Sequence, residues 1–146
     1  MALGISFSRV LVHVVWATKG RVYILREARD SWLETVLAQQ ADAVGAKLLS
    51  SGTAPDHVHA LVDLGRRSSL ASLAQRLKGG SAHAWNSADA AVPVLQWQDG
   101  YWAESIGVDR LDAMRVYLSN QREAHRRRSL LEAWERSDRS RCAAPT

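Results

Sequence analysis

Apolar residues change their spacing several times along this chain, and each change marks an element. From Ser8 to Thr18 (Ser-Arg-Val-Leu-Val-His-Val-Val-Trp-Ala-Thr) β-branched and aromatic residues run almost unbroken, which predicts a central strand apolar on both faces. Strand side chains alternate, so His13 shares a face with Leu11, Val15 and Ala17, opposite Val10, Val12, Val14 and Trp16. From Asp30 to Val44 the spacing turns helical. Leu33, Val36, Leu37, Gln40, Ala41 and Val44 form one stripe, Ser31 and Glu34 have capping-box spacing, and Gly45 supplies a stop. Lys47 to Thr53 reads as a short strand, and Pro55-Asp56 as a turn into another, His57-Val58-His59-Ala60-Leu61-Val62-Asp63-Leu64.

Parity sorts that last strand. Val58, Ala60, Val62 and Leu64 make an apolar face, while His57, His59, Leu61 and Asp63 share the other. Two adjacent imidazoles on a rigid strand can serve as paired ligands for a divalent metal once a third group arrives from elsewhere. Leu70, Leu73, Ala74 and Leu77 predict a second helix running towards Trp85-Asn86, in which Gly79 and Gly80 signal a close backbone approach. Residues 94–98 and 101–106 flank Asp99-Gly100 and predict a hairpin that contributes a fourth strand. Asp109 is the expected N-cap of a last helix with Leu111, Met114 and Leu118 as its buried stripe. That helix is expected to continue through Gln121 into Glu123-Ala124-His125-Arg126-Arg127-Arg128. Residues 1–136 are expected to form one domain and 137–146, polar and small, a flexible tail.

The order strand-helix-strand-strand-helix-strand predicts an α+β fold, a ferredoxin-like (βαββαβ) antiparallel sheet with an additional C-terminal helix carrying Tyr117. The first and third strands are then neighbours, which brings His13 towards His57 and His59. Tyr117 and Gln121 are four apart and share a helix face beside the buried stripe. A helix laid on the open sheet face delivers both, Gln121 with an amide oxygen as a third metal ligand and Tyr117 with a phenolic oxygen. His13 reads first as a hydrogen-bonded core residue, with metal ligand and DNA contact as the alternatives. Asp56 reads as a turn residue at the edge of the site.

The 146 residues suit one domain, and 19 Lys and Arg against 15 Asp and Glu give a formal charge of +4. Arginine predominates among the cations, and its guanidinium fork matches phosphate oxygens. Lys19, Arg21, Lys78, Arg126, Arg127 and Arg128 are the candidate contacts to a nucleic-acid backbone. A single cysteine, Cys142, excludes an intrachain disulfide framework and a cysteine-cluster metal site, and it points to a reducing cytoplasm. The apolar run from Val10 to Ala17 is too short for a membrane span, and no signal-peptide pattern opens the chain.

Four segments occur in a telling order: Pro55-Asp56-His57-Val58-His59, Leu77-Lys78-Gly79, Trp97 followed by Gly100-Tyr101, and Tyr117-Leu118-Ser119-Asn120-Gln121. Over roughly residues 9–128 the chain resembles the single-tyrosine HUH transposases, the small enzymes of certain insertion sequences and of REP-associated elements. The resemblance implies that His57, His59 and Gln121 bind Mg²⁺ or Mn²⁺. It also implies that Tyr117 attacks a DNA phosphate, giving a 5′-phosphotyrosine link and a free 3′-hydroxyl. The implied partner is single-stranded DNA with hairpin or palindromic ends, the implied assembly a homodimer, and the implied location the nucleoid in a prokaryotic cytoplasm. Two other readings stand beside it. A non-catalytic single-stranded nucleic-acid-binding module would use the open sheet and its aromatics, but it leaves the His57, His59, Tyr117 and Gln121 set unexplained. A replication-initiator or relaxase-type nickase shares the chemistry but is less suited to a short chain with a single candidate tyrosine.

Overall fold

The computed structural model describes residues 4, 6–88 and 93–135. Four strands, β1 (Leu11–Ala17), β2 (Lys47–Ala54), β3 (His57–Asp63) and β4 (Trp102–Ser105), form one sheet in the order β2-β3-β1-β4. Every neighbouring pair is antiparallel. Four α-helices accompany the sheet: α1 (Asp30–Ala43), α2 (Leu70–Ala88), α3 (Leu111–Ser119) and α4 (Gln121–Arg127). The expected ferredoxin-like α+β arrangement is therefore observed. Among the described residues no helix is long and apolar enough to cross a membrane.

β1 is buried at all seven positions and lies between β3 and β4 in the sheet. On one face Val12, Val14 and Trp16 join Val58, Ala60 and Val62 under Leu33, Leu37 and Ala41 of α1 and Leu73, Leu77 and Trp85 of α2. Burying each large aliphatic side chain stabilises the fold by about 1.5–3 kcal/mol, so this layer is the main support of the sheet. On the opposite face Leu61 packs with Met114 and Leu118. β3 is thus covered on both sides, and its histidine face is interior.

Several local expectations are corrected. The first strand begins at Leu11, leaving Val10 exposed. Ser31 and Glu34 form no capping box: α1 starts at Asp30, so Ser31 lies inside the first turn and Arg29, two residues before it, holds the cap position with no side-chain capping bond. Gly45 does end the helix region, with φ of +79°. α2 runs unbroken through its glycines. A Cβ at Gly80 would collide with the Gln40 side chain of α1, which explains that glycine, whereas Gly79 faces open space.

The predicted hairpin does not form. Residues 95–98 and β4 both lie along the same edge of β1: the Gln98 amide donates to the Ala17 carbonyl, Trp97 bridges Thr18, and β4 pairs with residues 12–15. Asp99-Gly100 is a joint between two segments on one edge, with Gly100 at φ +82°. The Lys78 ammonium fastens this joint by donating to the carbonyls of Gln98 and Gly100. Asp109 is not an N-cap either, since it sits in a short 3-10 turn (Val108–Arg110) ahead of α3. The last helix is interrupted at Asn120 (φ −108°, ψ 20°), so Tyr117 and Gln121 belong to successive helices. The expected tail, 137–146, lies outside the described residues.

Candidate active site

Strand parity aims His57 and His59 at α3 and α4, and both rings are buried. Their Nε2 atoms lie 3.1 and 3.3 Å from one oxygen, Oε2 of Glu135. Their Nδ1 atoms are held from behind. His57 Nδ1–H donates to Asp56 Oδ1 at 2.7 Å, and Arg21 pairs with the other Asp56 oxygen at 3.0 Å. His59 Nδ1 is 2.8 Å from His13 Nε2. Partners of this kind fix the orientation of ligand imidazoles, so Asp56 does more than turn the chain.

The two helices reach the histidines because β2 makes room. Gly52 pairs with His59 across the sheet, and the volume its side chain would fill is taken by the Leu118 carbonyl and the Gln121 Cβ. Arg122 then anchors α4, donating to both Asp30 carboxylate oxygens at 2.6 and 2.7 Å and to the Leu25 carbonyl at 2.7 Å. Tyr117 OH and Gln121 Nε2 both donate to Glu135 Oε1, each at 2.5 Å. The Tyr117 ring packs 5.3 Å from Trp134 and 6.4 Å from His59, centroid to centroid, and its oxygen accepts from the Leu131 amide at 3.2 Å.

Tyr117, His57, His59 and Gln121 are therefore gathered around one carboxylate, with His13 and Asp56 directly behind the imidazoles. The basic candidates fare differently. Arg21 borders the site through Asp56, and Lys19 is exposed in the turn after β1. Lys78 is engaged by backbone carbonyls, Arg126 pairs with Glu123 and Glu27, and Arg127 pairs with Glu123. Arg128 is exposed at the left-handed end of α4. The Arg126-Arg127-Arg128 run is thus largely matched by acids of its own chain.

Two site residues escaped the sequence reading. His125 Nε2 lies 3.4 Å from Glu135 Oε2, and its ring centroid is 4.8 Å from that of His57. It follows Gln121 by four residues, and that helical spacing was a usable signal. Glu135 follows the end of α4, where no periodicity points to it. Together His57, His59, His125 and Glu135 each offer one ligand atom, all within 4.8 Å of one another.

The electrostatics are those of a charged cluster in a dry place. Burial alone would raise the Glu135 carboxyl, but the His125 ring nitrogen 3.4 Å away and hydrogen bonds from His57 and His59 hold it well below the usual carboxylate range. Burial would lower His57, yet bonds to Asp56 and Glu135 raise it above its ordinary value. Burial dominates at His59, which is lowered to about 4, and at His13, lowered to about 3. Tyr117 is pushed well above its ordinary value by burial and then by the Glu135 carboxylate. Gln121 Oε1 is buried with no hydrogen-bond partner among the described residues. An orphaned neutral oxygen beside converging imidazoles and a carboxylate fits a divalent cation that accepts mixed oxygen and nitrogen donors. A cleft of about 480 Å³, lined by Arg21, Tyr23, Asp56, His57, His125 and Arg126 among others, opens beside this cluster.

Fold and site together define a small antiparallel α+β domain in which a pair of strand imidazoles lies under a helix-borne tyrosine. Residues 6–121 match the family described as IS200-like transposase, and the chain belongs to that family. Among solved structures it is similar to a candidate transposase from Deinococcus radiodurans R1, with 24% identity and a TM-score of 0.62, covering 84% of this chain and 98% of that one. It is also similar to a REP-associated tyrosine transposase bound to a REP hairpin, with 15% identity and a TM-score of 0.58, covering 86% of this chain and 74% of that one. No curated protein sequence matches it significantly.

Proposed function

We propose that this transposase cleaves and rejoins single-stranded DNA through a covalent 5′-phosphotyrosine, with Tyr117 as nucleophile and Mg²⁺ or Mn²⁺ held by His57, His59 and Gln121. One observation carries the reading: a single carboxylate, Glu135, is in hydrogen-bonding contact with Tyr117, Gln121, His57 and His59 at once. The Tyr117 oxygen and the two imidazole Nε2 atoms therefore converge on one carboxylate, with the Gln121 amide beside them. When bound, the cation would polarise a phosphoryl oxygen as a Lewis acid.

The chain's own groups do the rest. Tyr117 Oη attacks the phosphorus while the bond to the 3′-oxygen breaks. The phenolic proton is lost from Tyr117, and a proton is added to the departing 3′-oxygen. The phosphodiester is conserved as a tyrosyl ester, so attack by another 3′-hydroxyl reverses the step and joins a new strand. Asp56 and His13 hold the imidazoles so that each presents Nε2. Arg21 and the exposed Tyr23 border the cleft beside His57, where a phosphate and a base of the strand would lie.

We take hairpin or palindromic ends as the substrate form, in line with the REP hairpin bound by the structural relative. The homodimer implied by the resemblance is retained as a proposal, although this geometry needs no second copy to bring Tyr117 over the histidine pair. Incubating the protein with Mn²⁺ and a labelled single strand bearing a hairpin tests the reading. Wild type is expected to form a denaturation-resistant adduct and Tyr117→Phe none; an equal adduct from Tyr117→Phe would sink the assignment.

A further inference from the structure

His13, His59 and Glu135 form a line in which each proton position fixes the next. Glu135 can only accept at His59 Nε2, so His59 carries its proton there and its Nδ1 accepts from His13 Nε2–H. His13 Nδ1 is then bare, and it has no hydrogen-bond partner among the described residues. The two rings are 8° from coplanar with centroids 5.1 Å apart, the geometry of an in-plane N–H···N bond. Both are buried, and Trp102 packs its ring against His13 at 5.5 Å. Neither ring can turn away without breaking that packing.

A cation held by His59 would occupy the Nε2 lone pair, so the neutral ring would carry its proton on Nδ1. Among the described residues the acceptor facing that position is His13 Nε2. We infer that His13 is a positioning residue for the metal centre: its Nε2, 2.8 Å from His59 Nδ1, is placed to accept the Nδ1–H of a metal-loaded His59, which leaves the His13 proton on Nδ1 in that state. The pair holds two ring protons before and after, so its charge does not change. The site's two imidazoles are thereby unequal, with an anion behind His57 and a neutral ring behind His59. The inference rests on the metal role proposed above for His59.

Calorimetric titration with Mn²⁺ alone tests it, using His13→Phe, which keeps ring bulk but offers no acceptor, and His13→Gln, whose amide oxygen can accept. His13→Phe is expected to bind Mn²⁺ about 10–100-fold more weakly, and His13→Gln to recover most of the affinity. A folded His13→Phe that binds as tightly as wild type, or a folded His13→Gln as weak as Phe, overturns the role. Should His13→Phe not fold, imidazole ¹⁵N shifts of wild type decide: His13 protonated on Nδ1 with Zn²⁺ bound supports it, and His13 still protonated on Nε2 overturns it. A wild-type protein that binds no metal would instead overturn the metal reading itself.

Discussion

The Leu118 carbonyl occupies the space where a side chain at Gly52 would stand. Gly52 lies opposite His59 on the neighbouring strand, so this close approach is what lets α3 and α4 settle over the histidine face. One missing side chain on β2 thus sets how closely Tyr117 and Gln121 approach the paired imidazoles.

Gly52→Ala is therefore expected to push the Leu118–Gln121 junction away from β3. Overpacking of this kind costs about 1–3 kcal/mol, readable as a lower urea midpoint, and Mn²⁺ affinity should fall with it. Unchanged stability and metal binding would show that the junction has slack which the present packing does not.

Arg122 makes charge-assisted bonds to Asp30 and a further bond to the Leu25 carbonyl, so it ties α4 to the start of α1. Arg122→Met keeps much of the stem but removes all three. A loss of about 1.5–3 kcal/mol is expected, together with faster amide exchange in α4. If exchange accelerates evenly across the protein, the bond is a general support and not a local clamp.

Acid should weaken the metal-free fold through the buried imidazoles. His13 is lowered to about 3, first by burial and then by His59, and His59 is lowered to about 4 by burial, which outweighs the opposing Glu135 carboxylate. Unfolded histidine titrates near 6.5, so below that pH the unfolded chain binds protons that the folded pair refuses. Stability contributed by these two is present above about 6.5 and is lost as pH falls towards their folded values. His57 runs the other way, since its raised pKa favours the folded state at lower pH. Melting curves at neutral and mildly acidic pH should show a net loss on acidification that is smaller in His13→Asn. An equal loss in that variant would mean that other groups govern the response.

Glu135→Gln removes the carboxylate that accepts from the Tyr117 hydroxyl. Burial still raises the phenol, but the second cause is gone, so Tyr117 should ionise at lower pH than in wild type. An ultraviolet tyrosinate titration, with Tyr117→Phe to identify the transition, reads the shift. No movement of that transition would mean that burial alone sets the phenol.

Much of the architecture was legible in the residues because alternation and helical spacing are local properties of the chain. Parity assigned His57 and His59 to one face of their strand, the strand order brought His13 towards them, and the apolar stripes of α1 and α3 named most of their buried faces. Capping and turn chemistry were less dependable. Ser31-Glu34 and Asp99-Gly100 each carried a strong local signal, but the cap of α1 falls at Arg29 and the edge of β1 claimed both arms of the expected hairpin.

The sequence by itself determined that two imidazoles share a strand face, since that needs only the period of a strand, and it placed Tyr117 and Gln121 one turn apart as candidates for the same side. Tertiary structure alone decided that the helix breaks at Asn120, that Gly52 admits Leu118, and that Asp56 and His13 back the two imidazoles. It also decided that Glu135 joins the site, 14 residues past Gln121 and bonded to Gln121 through its side chain. Those relationships depend on which distant surfaces meet once the apolar stripe of α3 is buried, and no local spacing encodes that meeting.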